Sequence, residues 1–288
     1  MAARVRTLPA AIAPVLVGTA AAVEQAGELP RLGGFLVALL GSVLIQIGTN
    51  LANDYSDARR GADSADRLGP VRVTSAGLVT PSRVLVATWL AFAAAVACGI
   101  YLAVLAGPVI LLIGALSIAA GVLYTGGPRP YGYAGLGELF VFLFFGLVAV
   151  NGSYYVQLEE LSFLSAGLSV AVGLLSTAIL VVNNVRDIET DRRAGKRTLA
   201  VRLGRERTRR LYAWLLAGSY IALVATIAIE GGPWWAMLGL ISTALVGRPL
   251  RGVLTRTDGP ALNAALAGTG ALLALFSLLV SAGLLIAS

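Results

Sequence analysis

The stretch that decides the fold is "GGFLVALLGSVLIQIGTNLANDYSDARRGADSADRLGP", residues 33–70. Its first seventeen residues carry no charge, and the next twenty-one hold four aspartates and three arginines. An apolar run approaching roughly 20 residues is what a helix needs to cross the hydrocarbon core of a bilayer. The aspartates therefore stand at the edge of a membrane span, where ionised groups are expensive and mark function.

The rest of the chain agrees with that reading. Of 288 residues, 57% are hydrophobic and only 13% charged, where soluble domains carry about 25% charged residues. Mean hydropathy is +0.82. The 34 glycines suit helices that pack closely in lipid. One cysteine, Cys98, rules out an internal disulfide framework. With no histidine, zinc sites of the usual kind and histidine general bases are excluded. The N-terminal segment reads as a first span rather than a signal peptide, since it leads into similar spans.

Uncharged stretches fall near 8–23, 32–52, 84–106, 109–125, 139–156, 161–182, 211–229, 234–247 and 261–287. The expected fold is all-α: a polytopic membrane bundle of about nine transmembrane helices in one integral-membrane domain spanning 1–288. Charge tests the count. With nine spans, 21 of the 22 Lys and Arg fall on the side of the N-terminus, and only Arg31 falls opposite. Basic loops stay cytoplasmic, so the N-terminus is expected in the cytoplasm of a cell (inner) membrane. The net charge of +7 follows from this topology. No nucleic-acid-binding pattern accompanies it, and nucleic acid is not an expected partner.

Two loops on the basic side are long and charged, about 53–83 and 183–210. Both open on Asn-x-x-x-Asp: Asn53 precedes Asp57, and Asn183 precedes Asp187, with Asp191 four further on. Residues four apart share a helical face. Gln46 and Asn50 extend the first stripe inward; Ser176 and Asn183 extend the second. Two such stripes facing each other would line a pocket open to the cytoplasm. The loops are four spans apart, so their helices run the same way, as in an internal duplication.

Hard oxygen ligands from two helices suit Mg²⁺, which shares phosphate oxygens. A cluster of Asp54, Asp57, Asp63, Asp187 and Asp191 would by itself repel a diphosphate. Each unscreened like-charge pair at about 4 Å costs on the order of 4 kcal/mol at an effective dielectric near ~20. Two bridging Mg²⁺ ions would turn repulsion into attraction. Arg67, Arg72, Lys196 and Arg197 are candidates for the remaining phosphate oxygens. Tyr124, Arg129, Tyr131 and Tyr133 lie in the short connection on the same side, positioned to cover an aromatic substrate or to sit at the headgroup level.

At these residues the chain resembles the UbiA superfamily of intramembrane prenyltransferases, which has nine helices and aspartate-rich motifs after helices 2 and 6. The second motif, "DIETD" (187–191), is intact. The first, "NDYSDARRGAD" (53–63), has Gly61 where the general pattern has its last aspartate, with Asp63 two residues later. That departure is similar to the 1,4-dihydroxy-2-naphthoate polyprenyltransferase branch. So are "RTLPAAIAPVLVGTA", "LYTGGPRPYGYAGLGELFVFLFFG" and "NNVRDIETDRRAGKRTLAVRLG".

The resemblance implies Asn53, Asp57, Asp187 and Asp191 as the Mg²⁺ shell, with Asp54 and Asp63 in support. It implies Lys196 and Arg197 on the diphosphate, with Asp57, Asp187, Asp191 and Lys196 catalytic. Asn50 and Asn184 join the substrate contacts. The implied substrates are a polyprenyl diphosphate, drawn from the bilayer, and 1,4-dihydroxy-2-naphthoate. The allylic C–O bond would ionise and the ring would attack at the carbon bearing the carboxylate. Loss of CO₂ and a proton would give demethylmenaquinol. Two alternatives stand beside this one. A relative acting on 4-hydroxybenzoate would share the motifs. A transporter of a phosphorylated anion would show paired discontinuous helices at mid-membrane.

Overall fold

The computed structural model describes residues 7–60, 68–69, 73–74 and 77–288. Asp63, Arg67 and Arg72 lie outside the described residues. Among the described residues the architecture is all-helical, with no strand. The long elements are α1 (Leu8–Ala26), α2 (Leu32–Arg59), α3 (Pro81–Ala106), α4 (Val109–Leu123) and α5 (Gly137–Leu158). They continue with α6 (Phe163–Arg193), α7 (Arg205–Glu230), α8 (Gly247–Thr255) and α9 (Gly259–Ala287). Each expected span has its helix. Seven are long and apolar enough to cross a membrane. An eighth span is made if the 3₁₀ stretch Trp234–Leu245 and α8, bent by 45° where they meet, count as one. The 15-residue α4 is apolar but short.

Local chemistry sets the ends that matter. Ser162 caps α6: its hydroxyl accepts from Ser165 N at 3.0 Å, and Ser165 Oγ accepts from Ser162 N at 3.3 Å. Such a reciprocal cap satisfies two backbone donors that a helix start leaves open. From that anchor α6 runs 31 residues. At 1.5 Å per residue this exceeds the ~30 Å hydrocarbon core, so its last turns reach beyond it. Arg192 and Arg193 end it, cations at the negative end of the helix dipole.

α6 is the central post. It packs against α1, α5, α7 and α9, and most of its residues from Leu164 to Ile188 are buried. Small residues permit the closest approaches. A Cβ on Gly146 of α5 would lie 2.6 Å from Gly173 Cα and 2.8 Å from Ser169 O on α6. α2 packs on α1, α3 and α4 along the other flank. Within α5, Phe142–Val148 widens into a π-helical turn, a local form often found at functional sites. The space between the α2 flank and the α5–α6 flank is where the site forms.

Candidate active site

A cavity of about 950 Å³ opens between α2, α3, α4, α5 and α6. Its polar end is lined by the motif residues, and its deeper part by apolar side chains such as Ile45, Leu102, Ile113, Phe144 and Val148. Gln46, Asn50, Asn53 and Asp57 recur at helical spacing along α2, and all four are buried on this wall. Gln46 Nε2 donates to Thr7 Oγ1 at 3.0 Å, and Asn53 Oδ1 accepts from Thr125 Oγ1 at 2.8 Å. Asp54 Oδ2 accepts from Val73 N at 3.2 Å, while its Oδ1 is buried without a hydrogen bond.

Asp57 is 1% exposed and is held from two directions. Tyr133 donates its hydroxyl to Oδ1 at 2.5 Å, and Lys196 Nζ donates to Oδ2 at 3.0 Å. The ammonium also lies 4.8 Å from the centre of the Tyr133 ring, a cation–π distance. A glycine makes this possible. Gly195 takes φ +72°, a left-handed conformation that other residues enter with strain. The turn puts Lys196 N on the Asp191 carbonyl at 2.8 Å and brings its side chain back toward α2.

Across the cavity, Asp187 is gripped by the adjacent Arg186. Nε donates to Oδ1 at 2.7 Å and Nη2 to Oδ2 at 2.6 Å. The same guanidinium reaches Asn183 Oδ1 and Asn263 Oδ1, each at 2.7 Å. Asn263, on α9, donates to the Leu68 carbonyl at 2.9 Å. One buried arginine thus joins the second motif, the last helix and the first loop. Asp191 lines the same cavity.

The donor set fits a shared Mg²⁺ site. Among the described residues no three Asp, Glu, Cys or His side chains gather closely enough to hold an ion alone. Mg²⁺ demands no such cage, since it binds through one or two carboxylates and completes its shell with phosphate oxygens and water. Asp57, Asp187 and Asp191 face one cavity from two helices, and the unpartnered Asp54 Oδ1 adds a buried oxygen beside them.

Residues 11–266 match the model of the UbiA prenyltransferase family. The chain belongs to this family. It is 45% identical to a 1,4-dihydroxy-2-naphthoate octaprenyltransferase of Mycobacterium tuberculosis, over 98% of this chain and 94% of that protein. Identity to the Escherichia coli protein of the same description is 40%, over 94% and 90%. The fold is that of a UbiA homolog from Archaeoglobus fulgidus solved with DMAPP and Mg²⁺, at TM-score 0.65 and 17% identity over 97% and 98% of the two chains.

Against this family frame the expected site residues divide. Asn50, Asn53, Asp54, Asp57, Tyr124, Tyr131, Asn184, Asp187, Asp191 and Lys196 share the cavity wall. Arg129 and Arg197 do not reach it, and both are exposed. Residues 196–198 alternate buried, exposed, buried, as an extended chain turns successive side chains to opposite sides. That alternation carries Arg197 outward when it carries Lys196 inward. Arg129 sits exposed in the connection 126–130 and is absent from the cavity lining. The expected cluster of like charges is also revised: Asp57 and Asp187 are each paired with a cation. Arg186, Glu138, Thr125 and Asn263 were not singled out in the sequence. Glu138 and Asn263 had a signal: Glu138 is the only charged residue of α5 and Asn263 the only amide of α9, each near the end of an apolar span. Tyr131 is largely enclosed, and burial pushes its phenol above the usual tyrosine range.

Proposed function

We infer that this chain is a Mg²⁺-dependent 1,4-dihydroxy-2-naphthoate polyprenyltransferase. It transfers a polyprenyl group from its diphosphate and releases the acceptor's carboxylate as CO₂. The observation that carries the reading is the single cavity that joins two aspartate motifs, Lys196 and a long apolar recess. That combination suits a substrate with a polyanionic head and a lipid tail. The named relatives, alike over nearly the whole chain, support the acceptor.

Asn53, Asp57, Asp187 and Asp191 would hold two Mg²⁺ ions, with Asp54 in support. When bound, the metal supplies charge neutralisation to a departing diphosphate. Lys196 has two N–H donors beyond the one on Asp57, available to phosphate oxygens by charge-assisted hydrogen bonds. The allylic C–O bond breaks and its electron pair leaves on the diphosphate oxygen. The naphthoate ring forms the new C–C bond at the carbon bearing the carboxylate. That carboxylate departs as CO₂ and returns its electron pair to the ring, so the ionised acid needs no net proton transfer. The apolar walls keep water from the allylic cation. This chemistry requires no strong base, consistent with the absence of histidine.

The chain is a multi-pass membrane protein. We place the whole of 1–288 in one integral-membrane unit of the inner membrane, with its N-terminus and motifs in the cytoplasm. The segregation of 21 of 22 basic residues supports this orientation. A transporter would use matched broken helices in two halves; among the described residues one bent pair is found.

The test is an assay of purified protein with labelled polyprenyl diphosphate and dihydroxynaphthoate, with 4-hydroxybenzoate and EDTA as controls. Product and CO₂ release only with the naphthoate and Mg²⁺ are expected. Product only with hydroxybenzoate would overturn the acceptor and leave the family intact.

A further inference from the structure

Glu138 is the only charged residue in the 22-residue α5, and it is 6% exposed. Oε1 accepts from Asn184 Nδ2 at 2.8 Å, while Oε2 makes no hydrogen bond. A buried carboxyl satisfied on one side only is expensive, and packing alone gives no reason for it, because Leu or Gln would fill the same volume. Asn184 lines the cavity and Glu138 does not, so the carboxyl stands behind the amide. An amide has one accepting end and one donating end. Because the NH₂ end is committed to Glu138, the oxygen is the end left for the cavity.

The neighbouring wall says what that oxygen meets. The Tyr124 ring packs closely against two glycines. A Cβ on Gly132 would lie 2.9 Å from its Cε2, and one on Gly137 would lie 3.2 Å from the same atom. Tyr131 meets Tyr124 edge-on at 5.5 Å and stacks on Phe140 at 4.0 Å. All three rings line the cavity together with Asn184. A diphosphate carries only acceptor oxygens and gains nothing from an amide carbonyl. A flat ring with hydroxyl donors matches both the aromatic faces and the carbonyl.

We propose that Glu138 is a positioning residue that holds the Asn184 amide oxygen toward the cavity, where it accepts a hydrogen bond from a ring hydroxyl of the aromatic acceptor. The assignment rests on the proposed reaction and adds the group that recognises its second substrate. The contact is already made with the bound acceptor, where it sets acceptor affinity, and the proton stays on the hydroxyl oxygen.

Glu138→Gln tests the idea, because glutamine keeps the shape but offers an NH₂ that lets the Asn184 amide turn over. One neutral hydrogen bond is worth about a ten-fold change at most. The acceptor KM should rise about that much, with the prenyl diphosphate KM and half-saturating Mg²⁺ unchanged. Asn184→Leu should show the same split, and Glu138→Gln with Asn184→Leu should be no worse than Asn184→Leu alone. An acceptor analogue lacking the contacted hydroxyl should be used equally by wild type and Glu138→Gln. Calorimetric acceptor binding to the detergent-solubilised variants gives a readout independent of turnover. If Glu138→Gln does not fold, Asn184→Leu carries the decision. An unchanged acceptor KM, or an equal rise in the donor KM, overturns the proposal. A wild type that does not prenylate dihydroxynaphthoate overturns the reaction itself, so the two failures are separable.

Discussion

Lys196 Nζ sits 3.0 Å from Asp57 Oδ2, a buried ion pair closed between residues 139 positions apart. It links the two aspartate-bearing helices through a loop that turns at Gly195. The pair neutralises a carboxylate at the mouth of an apolar cavity while leaving the ammonium donors to spare for a phosphate. Lys196→Gln should therefore cut turnover by about two orders of magnitude and raise the prenyl diphosphate KM. Removing one partner of a buried pair also costs roughly 3–5 kcal/mol, because a lone charge is left behind. Thermal unfolding of Lys196→Gln, Asp57→Asn and the double variant should reveal strong coupling. Additive losses would mean that the two side chains do not interact in solution.

Arg186 makes a second prediction. Its planar fork makes four hydrogen bonds, two to Asp187 and one each to Asn183 and Asn263, one more than the three donors of an ammonium can supply. Arg186→Lys is expected to fold, yet to need about ten-fold more Mg²⁺ for half activity, because Asp187 loses its fixed orientation. Mg²⁺ titration of activity, read beside intrinsic-fluorescence titration with Mg²⁺ and prenyl diphosphate, checks this. An unshifted Mg²⁺ curve would make Arg186 a structural tie alone.

Metal removal should be complete and reversible. EDTA is expected to abolish transfer, and Mg²⁺ to restore it. Isothermal titration in the presence of a prenyl diphosphate should give two ions per chain. A stoichiometry of one would reduce the shell to fewer of the four residues Asn53, Asp57, Asp187 and Asp191.

Gly146→Ala probes packing behind the site. The added methyl would meet backbone atoms of Gly173 and Ser169 at 2.6 and 2.8 Å, and backbone cannot rotate away. A loss of about 1–3 kcal/mol is expected from such overpacking, seen as a lower thermal midpoint. An unaffected midpoint would show that α5 and α6 can separate without penalty.

Orientation can be read with reporters fused after Glu160 and after Arg193. The first is expected outside and the second in the cytoplasm. The reverse pattern would put the motifs on the wrong side for the proposed substrates.

Much of this was legible in the chain itself. Hydropathy and the basic-residue count placed nine apolar stretches: seven reappear as helices long enough to cross a membrane, 109–125 as the 15-residue α4, and 234–247 within a bent pair. The four-residue spacing of Asn53 with Asp57, and of Asp187 with Asp191, put each pair on one face, and the structure finds all four lining one cavity, from two helices. These are local properties. They depend on the length of a bilayer crossing and on 3.6 residues per turn, and a linear reading has access to both.

Only the tertiary structure decided who pairs with whom. Sequence could group Lys196 with Arg197, but alternation after the Gly195 turn sends one inward and the other out. It could count aspartates, but not see that Arg186 and Lys196 already hold two of them. It gave no hint that Glu138 stands 2.8 Å behind an asparagine 46 residues later. Such contacts arise where separate helices meet in three dimensions, and their register is set by side-chain packing across the interface rather than by any periodicity along one strand of chain.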